Sequence, residues 1–152
     1  MHEITTEIDI NASPKIVWSI LTDFARHSEW NPFVRQLSGE AVLGQRLTVS
    51  ICPPGGKAMT FRPKVLVAKP NAELRWLGRF LMPGLFDGEH YFVLSQLGEN
   101  RTRFVHGERF SGVLVPLVKS SLESATRAGF EAMKVRAESN SPHADEFESV
   151  RL

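Results

Sequence analysis

The chain has 152 residues, of which 42% are hydrophobic and 23% charged, the values of an ordinary globular domain with enough length for one sizeable core. Lysine and arginine number 18 against 17 aspartates and glutamates, a net charge of +1, which excludes a generic polyanion binder though not a local basic patch; no nucleic-acid partner is expected. Cys52 is the only cysteine, so neither an intrachain disulfide nor a thiolate metal cluster can form. Ten Phe and three Trp stand against one Tyr, an excess that favours an apolar interior. No stretch reaches the roughly 18–20 apolar residues of a membrane span, and Met1–Glu7 lacks the apolar run of a signal peptide. The expectation is a cytoplasmic protein with no integral membrane segment.

In chain order, Ile4, Thr6, Ile8 and Ile10 alternate with Glu3, Thr5, Glu7 and Asp9, the period of a strand with one buried face. Ser13-Pro14 then opens a short helix, with serine at the N-cap and proline at the first helical position. Asp23 is placed to cap a second short helix through Phe24 and His27, which Pro32 ends near Trp30. From about residue 34 to 110 the chain reads as strands divided by turns at Gly39, Gly44, Pro53–Gly56, Lys69-Pro70-Asn71, Met82–Gly88 and Gly98-Glu99-Asn100. Leu47, Val49 and Ile51 form one run; Met59, Phe61, Pro63, Val65 and Val67 form the next; Leu74, Trp76 and Phe80 share a parity after it. His90, Phe92 and Leu94 face one way on the following strand, and Phe104, His106, Glu108 and Phe110 on the last. Short connections imply antiparallel neighbours. A long helix follows from about Val113 to Ala137, with Pro116 in its first turn.

One face of that helix carries Leu114, Val118, Ser121, Leu122, Ala125, Ala128, Gly129, Ala132 and Met133. Its centre is made of small residues, which suits either close packing of helix on sheet or a helix that spans a curved sheet and leaves a cavity beneath it. Strand, two short helices, six further strands and a long helix make an α+β fold. Residues 139–152 read as a polar tail. No Ser-His-Asp arrangement, phosphate loop or dinucleotide fingerprint is present, so no cofactor is expected.

Several segments in order carry a resemblance: Asp23–Val34 with Trp30-Asn31-Pro32, Leu74-Arg75-Trp76, Gly88-Glu89-His90, Glu108–Gly112 and Gly129–Lys134. Together they resemble the START / polyketide cyclase / aromatase (SRPBCC) superfamily, and more narrowly its small bacterial polyketide cyclase/dehydrase-like members. The resemblance covers about residues 2–138. It implies a helix-grip fold, a curved antiparallel sheet of about seven strands wrapped around the long C-terminal helix with a hydrophobic cavity between them, and so a single ligand-binding domain over 1–138. None of these motifs is a catalytic signature.

His90, His106 and Glu108 read as the only ionisable groups on the inward strand faces. In an apolar pocket they suit acid–base work on a carbonyl compound, anchoring of a ligand's polar end, or bonding to one another. Their spacing fits no standard metal signature, so no metal is expected. The expected function is binding of a small hydrophobic molecule, a lipid or a polyketide-like aromatic. Phe61, Trp76, His90, Phe92, Phe104, His106, Glu108 and Phe110 line the sheet side, and Leu122, Ala125, Gly129 and Met133 the helix side. The alternative is a cyclase or dehydratase without metal or nucleotide, with His90, His106 and Glu108 as candidate catalytic groups. The apolar loop Leu81–Phe86 is read as a lid over the pocket.

Overall fold

A computed structural model of the chain describes residues 1–31, 34–52, 57–79, 82, 84–85, 87–116, 128 and 131–139. Strand β1 (His2–Ile10) leads into helix α1 (Pro14–Thr22), where the Ser13 hydroxyl accepts the Ile16 N–H at 3.3 Å and Pro14 stands at the helix start. The second short helix is divided into a 3-10 turn (Phe24–Arg26) and the single-turn α2 (His27–Trp30). Asp23 makes no side-chain capping bond; its carboxylate instead lies 3.7 Å from Arg26.

The remaining strands are β2 (Val34–Ser38), β3 (Thr48–Ile51), β4 (Met59–Phe61), β5 (Lys64–Lys69), β6 (Glu73–Arg79), β7 (Asp87–Gly98) and β8 (Arg101–Ser111). Among the described residues eight strands form two sheets, β1-β8-β7-β6-β5 and β2-β3-β4, which corrects the expectation of one sheet of about seven. All described pairings are antiparallel. The division falls at Arg62-Pro63, inside the run read as one strand. Proline has no N–H for a ladder, so β4 pairs with β3 while β5 pairs with β6. The two sheets are stitched by the bridge Arg46↔Lys64 and by Leu47 N–H to the Pro63 carbonyl at 2.8 Å. A bulge between Val65 and Val67 turns Val67 to the opposite face from Val65, against the parity read from sequence.

Ile10, Leu21, Phe24, Leu47, Val65, Leu74, Trp76, Phe92 and Phe104 belong to one buried cluster that also takes in Met133 and Ala137. Helical conformation is described at 115–116, 128 and 131–139, with Val113 and Leu114 in a turn before it. The 131–139 segment is fastened to the other end of the chain: Arg136 donates to Glu29 at 2.8 Å, and the Asn11 N–H donates to Glu138 Oε1 at 3.1 Å. The Pro53–Gly56 turn, Phe80, most of the small-residue stripe with Leu122, Ala125 and Gly129, and the tail beyond 139 lie outside the described residues. No helix among the described residues is long and apolar enough to cross a membrane.

Candidate ligand-binding site

The antiparallel register builds the site in cross-strand rows. Trp76 pairs with His90, His90 with Glu108 and Glu108 with Ile4, which makes one row across β6, β7, β8 and β1. Leu74, Phe92, His106 and Thr6 make the next, and Phe104 sits between Leu94 and Ile8 in a third. Because side chains alternate between faces, all of these share the face that carries the buried cluster. His2, opposite Phe110, shares it too, so the three expected groups are joined by a fourth ionisable residue.

Glu108 is 6% exposed and sits between two imidazoles. Its Oε1 lies 3.2 Å from His90 Nδ1 and 3.3 Å from His106 Nε2. A carboxylate oxygen can only accept, so a hydrogen bond to it requires the hydrogen on the facing ring nitrogen. Burial by itself raises the Glu108 carboxyl, but the charge of a protonated His90 and the hydrogen bonds from His106 and His90 outweigh it and hold the carboxyl far below the usual range. His106 is pushed below the ordinary imidazole value, chiefly by burial, against the pull of Glu108. The ligating atoms of all three residues lie within 4.8 Å of one another.

Aromatic rings wall this polar knot. His90 stands 5.9 Å from Trp76, 5.9 Å from His106 and 6.3 Å from Phe110, the last edge-to-face. Phe92 stacks on His106 at 4.5 Å and on Phe104 at 5.9 Å. Phe110 also borders a cleft of about 310 Å³ with His2, Gly112, Val115 and Pro116, at the end of the sheet where β1 starts and β8 stops. The structure therefore brings together Trp76, His90, Phe92, Phe104, His106, Glu108 and Phe110. Phe61 is not among them: it is half-buried in β4, opposite Val49 in the three-stranded sheet. Met133 is 2% exposed in the buried cluster, on the helix side.

Thr6 went unnoticed as a site residue. Its Oγ1 is buried without a hydrogen-bond partner among the described residues, on the strand position that pairs with His106. The signal was present, since Thr6 is the one polar residue among the inward positions 4, 6, 8 and 10, the others being isoleucine. His27 was also missed. It is 4% exposed and donates from Nε2 to the Leu21 carbonyl at 2.7 Å. Its burial rests on Phe24 and Trp30 closing around it, 5.6 and 4.7 Å between ring centres, and no local pattern announces that.

A sheet with an acid–base trio on its inner face, two short helical pieces after the first strand and a C-terminal helix against the same core define an α+β helix-grip protein. The sequence model of the family described as polyketide cyclase / dehydrase and lipid transport matches residues 1–138, and the chain belongs to that family, within the SRPBCC superfamily. A START superfamily protein from Mycobacterium smegmatis is similar in fold, with a TM-score of 0.76 at 20% identity over 91% of this chain and 98% of that one. The ZhuI aromatase/cyclase from Streptomyces sp. R1128 gives 0.78 at 15% identity, over 91% and 94%. Ara h 8.0201 gives 0.70 at 14% identity, over 91% and 99%. Among curated proteins none matches the sequence.

Proposed function

We propose that the chain binds a small hydrophobic ligand, a lipid or a polyketide-like aromatic, between the inner face of the five-stranded sheet and the C-terminal helix. The observation that carries this reading is the inner face around His90, where an acid–base trio is set among Trp76, Phe92 and Phe110. Apolar walls supply affinity, at roughly 25 cal/mol per Å² buried before association costs, and a few polar groups fix orientation. Met133 serves the helix side, and by sequence Leu122, Ala125 and Gly129 serve it with Met133. The family's description, which names both cyclisation and lipid transport, fits such a pocket. A cytoplasmic location accords with a chain that has one cysteine and so no intrachain disulfide.

Native mass spectrometry of the purified chain tests this directly. The expected result is a co-purified small molecule, or saturable uptake of an apolar aromatic such as 2-naphthol. His90→Phe should weaken that uptake about ten-fold, the scale of one charge-assisted hydrogen bond. A chain that carries nothing and takes up no apolar probe overturns the reading; unchanged affinity in His90→Phe removes the polar anchor alone.

The His90–Glu108 contact favours one second reading, a cyclase or dehydratase in the same pocket. There the carboxylate holds the His90 tautomer and the imidazole moves a proton, while the walls fold the substrate. Turnover of a model poly-β-ketone that stops in His90→Phe distinguishes it from simple carriage.

A further inference from the structure

We propose that His90, His106 and Glu108 form a site for one divalent ion of the zinc class. The sequence spacing gives no hint of it, because the three ligands are assembled across two strands. His90 on β7 is the direct partner of Glu108 on β8, and His106 stands two residues before Glu108 on the same face. Two imidazoles and one carboxylate are the donor set that borderline divalent ions prefer, and three protein ligands with an open position are the arrangement of reactive rather than purely structural sites.

The geometry is close to what such an ion requires. Metal–ligand distances of about 2.0–2.1 Å place the ligands of a tetrahedral ion about 3.3 Å apart. The two nitrogen-to-Oε1 edges are 3.2 and 3.3 Å, and no pair among the three ligating atoms exceeds 4.8 Å. The remaining edge, between the two imidazoles, is no longer than 4.8 Å and has to shorten toward the tetrahedral spacing when an ion binds. The strands on either side hold the ligands in register, so little ordering is left to be done by the ion. For the ion to bind, any proton on a ring nitrogen that faces Glu108 must pass to the opposite ring nitrogen or, from an imidazolium, be released to solvent, which leaves a lone pair for the metal.

A second observation points to an additional polar occupant at the same place. Among the described residues the Thr6 hydroxyl is buried without a partner, on the neighbouring strand at the position paired with His106. A buried hydroxyl without a partner among the described residues offers a hydrogen bond to a water, ion or ligand atom. A water on the ion, or a ligand oxygen in its open position, would give that hydroxyl its partner. The inference deepens the ligand-binding reading: the ion would meet the oxygen-bearing end of the molecule that the aromatic walls enclose, and so selects ligands with a carbonyl, enol or phenol oxygen.

The test uses the untagged full chain, stripped with a chelator and kept free of organic ligand. Titration with zinc by calorimetry should give one ion per chain, with a raised melting temperature that magnesium does not reproduce. Cobalt(II) should show the strong visible bands of a four-coordinate ion. Glu108→Gln and His106→Asn should each weaken zinc binding at least about ten-fold. Should either fail to fold, His90→Asn carries the test, at a side chain 31% exposed. Zinc binding unaffected by all three variants, binding abolished by His2→Ala alone, or no heat and no shift in melting temperature overturns the site. Uptake of 2-naphthol by the stripped chain is measured separately. Uptake without zinc binding ends the metal site and leaves the pocket standing; zinc binding without uptake does the reverse.

Discussion

Tyr91 lies on the outer face of the sheet, over a strand position that carries no side chain. It is the partner of Gly107, and a Cβ added there would fall within the tyrosine ring. Arg75 and Arg109 close over the ring, their guanidinium carbons 4.9 and 5.1 Å from its centre, and the phenol donates to Glu3 at 2.7 Å. Tyr91 is buried, but the guanidiniums over it reach solvent, so the cation–π contacts and the ion pairs around them contribute little. The steric term is larger. Gly107→Ala should cost about 1–3 kcal/mol in urea unfolding, because the ring must leave its seat. The cost should vanish in a Tyr91→Ala background. An equal cost in both backgrounds would show that the glycine answers to something other than the ring.

At the scale of elements, the joint between β1 and α1 is pinned from across the sheet. Thr102, at the start of β8 and fully buried, donates its hydroxyl to the Ala12 carbonyl at 2.7 Å, one residue before the Ser13 cap. Thr102→Val keeps the shape and orphans a buried carbonyl, so it should cost about 1–3 kcal/mol, read as a lower melting temperature with unchanged far-UV dichroism. A neutral substitution would mean that water satisfies Ala12. The loop read as a lid is described only at Met82, Gly84 and Leu85. There it is tied to the approach of the C-terminal helix: Val113 and Leu114 donate to the carbonyls of Gly84 and Leu85 at 3.3 and 3.2 Å. Two backbone bonds couple these segments, so movement of one draws on the other.

For the molecule as a whole, His27 ties stability to pH. Burial drives its imidazole down to about 4 from 6.5, although the Leu21 carbonyl and Asp23 pull the other way. The unfolded chain therefore binds a proton in that interval that the native chain refuses. Stability is full above pH 6.5 and is lost as pH falls toward 4, by about 3 kcal/mol at the scale of 1.36 kcal/mol per unit. Denaturant titrations at stepped pH should show this decline, and His27→Gln, which keeps a donor for Leu21, should flatten it. A slope unchanged in that variant would place the proton elsewhere.

What the sequence determined by itself was everything carried by local periodicity and backbone chemistry. Alternation marked β1, β6, β7 and β8 and the inward parity of Trp76, His90, Phe92, Phe104, His106, Glu108 and Phe110. The Ser13-Pro14 pair marked the start of α1, and the ordered motifs marked the family. What needed the tertiary structure was everything set by which strand lies beside which. Pro63 divides one apparent strand between two sheets and places Phe61 on the three-stranded one. The bulge after Val65 reverses a parity that the pattern alone would continue. His90 and Glu108 are 18 positions apart in the chain and become direct partners only through the β7–β8 register. The physical reason is that a strand's own residues decide which side chains share a face, whereas hydrogen bonds to a neighbouring strand decide which of them meet.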